Sequence, residues 1–161
     1  MRTAVLTVST SVARRESQDA SGPALAKLAD EASCDVVALE VVPDDARLIA
    51  GRLRHYVEDD VALVFTTGGT GFTPDDVTPE AALSVIERRA TGLEAALHAE
   101  ARERHPMGAL SRAVAGLAGR TLIVTLPGSP RAVAELFPVL APLLDHAVAT
   151  LRRTGDRTPG H

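Results

Sequence analysis

Val61-Ala62-Leu63-Val64-Phe65-Thr66-Thr67-Gly68-Gly69-Thr70-Gly71-Phe72-Thr73-Pro74-Asp75-Asp76-Val77-Thr78-Pro79-Glu80 passes from an apolar run, through three glycines, to a helix start. The five apolar residues Val61 to Phe65 predict a strand buried on both faces. Thr78-Pro79-Glu80 predicts a helix start, with Thr as N-cap and Pro at the first helical position. Glycines between a strand and a helix let the backbone turn sharply and bring its N–H groups close to an anion. Two adjacent aspartates follow, and carboxylates beside a phosphate site usually mean a bound Mg²⁺. The loop therefore reads as built for a nucleotide or another phosphate ester, while a tight strand-to-helix turn is the plainer reading of three glycines taken alone.

Working outward, short apolar runs alternate with stretches of helical period. Ala4 to Val8 predicts a strand, Ser9 to Ser21 a long polar loop, and Leu25, Leu28, Ala29 and Ala32 one apolar helix face. Val36 to Val42 predicts a second strand, and Ala46, Ile49, Leu53, Tyr56 and Val57 a second amphipathic helix. Helical segments are expected from Pro79 and from about Gly92 to His105, then a last strand at Thr121 to Thr125. The C-terminal stripe Val133, Leu136, Phe137, Leu140, Leu144, Ala147, Val148 and Leu151 predicts a helix that Pro138 and Pro142 kink or break near Phe137. Strands alternating with helices imply an α/β fold, a mostly parallel sheet with helices on both faces. Ligands then bind at the carboxyl ends of the strands. Four loops share that edge: Ser9 to Gly22, Pro43-Asp44-Asp45, Thr66 to Asp76, and Pro127-Gly128-Ser129.

A chain of 161 residues with 45% hydrophobic content suits one domain, expected over 1–151, with a polar, frayed tail over 152–161. The net charge of −4 argues against a nucleic-acid partner. No apolar run in the sequence suggests a membrane span, the start is too short for a signal-peptide core, and the single Cys34 forms no internal disulfide. A cytoplasmic protein is expected. Lys27 is the only lysine, so the Gly-Lys-Ser/Thr phosphate loop is excluded, and Phe72-Thr73-Pro74 breaks the dinucleotide fingerprint. Neither His98 nor His105 shows metal spacing, and both read as surface residues.

The fifteen residues from Thr66 to Glu80 closely resemble the signature T-x-G-G-T-G-x-x-x-R-D-x-T-P-E of the molybdopterin adenylyltransferase family, with Asp75 where the family carries Arg. Four further stretches are similar to that family in the same order. They are Leu6 to Ser11 with Asp19-Ala20-Ser21-Gly22-Pro23, then Val42-Pro43-Asp44, Leu110-Ser111-Arg112 to Gly116, and Leu126-Pro127-Gly128-Ser129-Pro130. Thr10 stands where the family has Asp.

The resemblance implies a three-layer α/β/α sandwich of the molybdopterin-binding type, and transfer of AMP from ATP to the terminal phosphate of molybdopterin. It implies Asp44 and Asp76 as the catalytic carboxylates holding Mg²⁺, with ATP as co-substrate. Substrate contacts are implied at Ser9, Ser21, Gly22, Thr67, Gly68, Gly69, Thr70, Gly71, Ser111, Arg112, Pro127, Gly128 and Ser129. A homo-oligomer, trimer or hexamer, is implied as well. Plainer readings stand beside these: Asp44 as an N-cap, Asp76 as an acid at a helix dipole, Ser111-Arg112 as a helix start, and Pro127 to Pro130 as a bare turn. The two departures also suit a molybdopterin-binding paralogue without catalysis.

Overall fold

The computed structural model describes residues 1–153. Six strands, β1 (Arg2–Val8), β2 (Asp35–Val42), β3 (Leu63–Thr67), β4 (Arg88–Arg89), β5 (Ala115–Ala118) and β6 (Thr121–Leu126), form one sheet in the order β2-β1-β3-β6-β5-β4. The neighbours from β2 through β6 run parallel, while β5 and β4 pair antiparallel at the far edge. The helices are α1 (Thr10–Ala13), α2 (Ser21–Glu31), α3 (Ala46–Glu58), α4 (Thr78–Leu83), α5 (Thr91–Arg104), α6 (Pro130–Leu140) and α7 (Leu144–Leu151). Short 3₁₀ turns occupy Pro106–Leu110 and Ala141–Leu143.

Side-chain alternation along the strands makes two cores. Val5, Phe65 and Val124 pack with Leu25 of α2, Leu97 of α5 and Val133, Phe137 and Leu144 of α6 and α7. Ala4, Leu6, Val64 and Ile123 point the other way, onto Ile49, Leu53 and Tyr56 of α3 and Ala81 and Ala82 of α4. Every residue of β3 is buried, which is why its sequence shows an unbroken apolar run rather than alternation. The expected α/β sandwich is the observed fold.

Several local expectations are corrected. Thr78 is not the N-cap of α4. Val77 holds that position, and the buried Thr78 hydroxyl donates instead to the Gly68 carbonyl at 2.9 Å. The expected loop after β1 contains the one-turn helix α1, capped by Ser9. The C-terminal helix runs through Pro138 and breaks at Ala141–Leu143, around Pro142, rather than near Phe137. Strands β4 and β5 were not expected. The Gly119 turn, with φ +53°, folds β5 back onto β6 as a hairpin.

Residues Pro130–Leu151 do reach the length and composition of a membrane-crossing helix, contrary to the sequence expectation. Their stripe of Val133, Leu136, Phe137, Leu140 and Leu144 is buried against the sheet, as in a core helix. Arg152 is anchored rather than frayed: it donates to the Asp60 carbonyl at 2.7 Å and to its carboxylate at 3.0 and 3.1 Å. The rest of the expected tail, from residue 154, lies outside the described residues.

Candidate functional site

Parallel pairing of β2, β1, β3 and β6 brings four strand ends to one edge, and hydrogen bonds fasten the loops that leave them. Ser9 N–H donates to the Val42 carbonyl at 2.9 Å, and Gly68 N–H to the Leu126 carbonyl at 3.0 Å. Thr67 donates its hydroxyl to the Pro127 carbonyl at 2.7 Å. Gly68 and Gly69 turn the chain with φ of +102° and +65°, a region side chains disfavour. At Gly68 a Cβ would also strike the Val8 carbonyl oxygen.

A cavity of about 550 Å³ opens on this edge. One wall is polar and backbone-rich: Gly69, Thr70, Gly71, Asp76, Ser111, Gly128 and Ser129. The other carries Ala101, His105, Met107, Leu110 and Leu136, with Arg131 and Glu135 at α6. His105, expected at the surface, is exposed yet stands on this wall, its Nδ1 accepting from Met107 N–H at 3.1 Å. The apolar wall comes from the C-terminal end of α5 and the 3₁₀ turn after it. No spacing in the sequence announces it, because α5 reaches the cleft through tertiary packing on α6, on β5 and on the 3₁₀ turn that follows it.

The two implied carboxylates flank the glycine loop. Asp44 lies so close to Gly69 that a Cβ there would stand 3.3 Å from its Oδ1, and a Cβ on Gly71 would stand 2.9 Å from Asp76 Oδ2. Asp44 is not the N-cap of α3. Asp45 is, accepting from Arg47 and Leu48 N–H groups at 2.8 and 3.0 Å. Asp44 Oδ2 instead accepts from the Thr10 N–H at 2.8 Å and the Thr10 hydroxyl at 2.7 Å. Asp76 Oδ2 accepts from the N–H and hydroxyl of Thr73, both at 2.8 Å. In each carboxylate Oδ1 accepts no hydrogen bond from the described residues. Each aspartate thus keeps one oxygen without a partner among the described residues; at Asp44 it is the oxygen next to Gly69, whereas at Asp76 the oxygen next to Gly71 is the bonded Oδ2.

Among the described residues, no three His, Cys, Asp or Glu side chains gather as a ready-made metal cage. Two carboxylates with free oxygens fit Mg²⁺, which takes one or two carboxylates and fills its shell with water and substrate oxygens.

Other implied residues do different work. Gly22 and Ser21 are buried at the start of α2 and stand off the cavity. Asp19 accepts from the Thr7 hydroxyl at 2.6 Å and from Gly22 N–H at 2.9 Å, and a Cβ on Gly22 would collide with both side chains. That motif fastens α2 to β1. Ser9 shares a 3.2 Å hydroxyl contact with Ser11 and does not line the cavity. Arg112 follows the 3₁₀ turn rather than starting a helix, and its guanidinium points into the protein. Nε donates to the Gly71 carbonyl at 2.8 Å, Nη2 to the Asp76 carbonyl at 2.6 Å, and Nη1 to the Glu80 carboxylate. Partial burial raises the Glu80 carboxyl, but the hydrogen bond and charge of Arg112 outweigh it and the net shift is downward.

Residues 4–146 match the family model described as "Probable molybdopterin binding domain". The chain is 38% identical over 147 residues to molybdenum cofactor biosynthesis protein B of Escherichia coli K12, covering 89% of this chain and 85% of that protein. It is 39% identical over 146 residues to the molybdenum cofactor synthesis protein cinnamon of Drosophila melanogaster, but spans only 24% of that protein's length. The crystal structure of the molybdopterin biosynthesis enzyme MoaB from Thermus thermophilus superposes with a TM-score of 0.88 at 38% identity, over 93% of this chain and 95% of that one.

Proposed function

This chain belongs to the molybdopterin binding domain family of molybdenum cofactor biosynthesis, and on that footing we propose that it transfers AMP from ATP to the terminal phosphate of molybdopterin. The observation that carries this reading is the pair of carboxylates, Asp44 against Gly69 and Asp76 against Gly71, beside a glycine loop that lines the cavity.

A terminal phosphate oxygen is already ionised at neutral pH, so the protein needs no nucleophilic side chain and no strong base. That oxygen attacks the α-phosphorus of ATP, a new P–O bond forms, and the bond to the β-phosphate breaks to release pyrophosphate. The chain must position two anions and disperse charge around the α-phosphate. The Gly69–Gly71 segment lines the cavity and would offer backbone N–H groups to a phosphate, and Ser129 at the start of α6 opens a second polar position. Thr10 and Thr73 each hold one oxygen of a catalytic aspartate and so fix where the other points. Asp44 and Asp76 would hold Mg²⁺, which would supply neutralisation of phosphate charge. Because aromatic residues make up 2% of the chain, the pterin edge would be read by backbone and polar groups beside the apolar wall. In this reading the enzyme works in the cytoplasm, where ATP is at hand, as a closed trimer or pair of trimers.

Binding without transfer is the second reading, favoured by Asp75, which adds an exposed negative charge to the loop. One assay separates them. With α-³²P-ATP, Mg²⁺ and molybdopterin, the transferase labels molybdopterin and releases unlabelled pyrophosphate. A protein that binds molybdopterin tightly but never acquires the label on its ligand is the binding paralogue.

A further inference from the structure

We propose that Arg112 is a positioning residue that holds the phosphate loop closed around Asp76, instead of touching substrate; the proposal rests on the adenylyl-transfer reading. Each of its three side-chain nitrogens already donates within the protein. Two of the acceptors, the carbonyls of Gly71 and Asp76, are the two ends of the loop's outer arc. One guanidinium therefore draws that arc into a ring. Its planar fork can serve two carbonyls and a carboxylate at once, which a lysine ammonium on a flexible stem cannot do in the same geometry.

The arc has little else to hold it. Phe72 is 67% exposed, and Thr73, Pro74 and Asp75 are exposed beside it. Inside the ring, Asp76 accepts from Thr73 and its N–H donates back to the Thr73 carbonyl at 3.0 Å. These bonds set the rotamer of Asp76 but do not anchor the ring to the core. The anchor is Arg112: its own N–H donates to the Thr70 carbonyl at 2.9 Å, and Glu80 on α4 fixes the plane of the guanidinium. The free oxygen of Asp76 thus takes its position from a residue 36 positions away that the cavity does not expose.

Hydrogen exchange and kinetics on Arg112→Ala, Arg112→Lys and Glu80→Gln test this. The clamp predicts that amides of residues 71–76 exchange about tenfold faster or more in Arg112→Ala, with the strands unchanged, because a local opening becomes easier. Glu80→Gln, which keeps the arginine and supplies a stable variant if Arg112→Ala does not fold, should loosen the same amides by a smaller factor. In turnover, kcat of Arg112→Ala should fall on the order of a hundredfold through misplacement of the reacting groups, with KM for ATP and molybdopterin little changed. Millimolar guanidinium ion should restore part of kcat, and urea at the same concentration should not. Arg112→Lys should stay close to Arg112→Ala. Unchanged exchange of the arc in both Arg112→Ala and Glu80→Gln overturns the proposal. So does a raised KM with intact kcat, which marks a substrate ligand. A wild-type protein that transfers no AMP contradicts the transferase reading instead, and the exchange result then decides the clamp.

Discussion

Asp76 is half-buried against Gly71, with Thr73 holding one of its oxygens, whereas Asp75 is exposed and accepts no hydrogen bond from the described residues. Adjacent carboxylates in the sequence thus part company in the fold. If the Arg that the related signature carries offsets substrate charge, Asp75→Arg should tighten binding of Mg-ATP, by up to about 1 kcal/mol at so exposed a site. Titration of Mg-ATP against both proteins checks this, and unchanged or weaker binding contradicts it. The residues of the glycine loop were readable from the sequence because glycine spacing reports backbone geometry directly. What Thr10 and Arg112 do was not, because their partners lie 34, 36 and 41 positions away. Thr10 shows in the sequence only as a departure from a pattern. In the fold, it is the donor that keeps Asp44 aimed at Gly69.

At the scale of elements, strands β1, β2, β3 and β6 were legible as short apolar runs, α5 as a helical stretch, and helices α2 and α3 by the period that burial of one face imposes. Strands β4 and β5 were not, since Arg88–Arg89 and Ala115–Ala118 have no such period and become strands by pairing outward from β6. The helix break moved from Phe137 to Pro142 for a packing reason. Phe137 is buried edge-on to Phe65 with ring centroids 5.8 Å apart, so the helix stays intact where it covers the sheet, and Pro138 falls on the exposed side. Phe137→Ala should therefore destabilise the protein by about 3–5 kcal/mol, read from denaturant midpoints at constant m-value. A loss below about 1 kcal/mol would mean that this contact does not organise the core.

At the scale of the whole molecule, the parallel order β2-β1-β3-β6 collects the ends of four strands into one cleft, and the sequence already pointed to that edge. It did not show the outer edge of the sheet. Strand β2 exposes Val37, Leu39 and Val41 at 44%, 46% and 38%, an apolar row on an unpaired edge. Soluble proteins usually cover such edges, which supports the closed symmetric oligomer proposed above. Light scattering at micromolar concentration should report three or six chains, and a monomer contradicts this. The central claim, adenylyl transfer between Asp44 and Asp76, is tested most directly by following label from α-³²P-ATP onto molybdopterin in wild type, Asp44→Asn and Asp76→Asn, with molybdopterin affinity measured alongside. Mg²⁺-dependent labelling is expected from wild type, none from Asp76→Asn and little from Asp44→Asn, with near-equal molybdopterin affinity in all three. Near-normal labelling in both variants, or none from a wild type that binds molybdopterin, would contradict it.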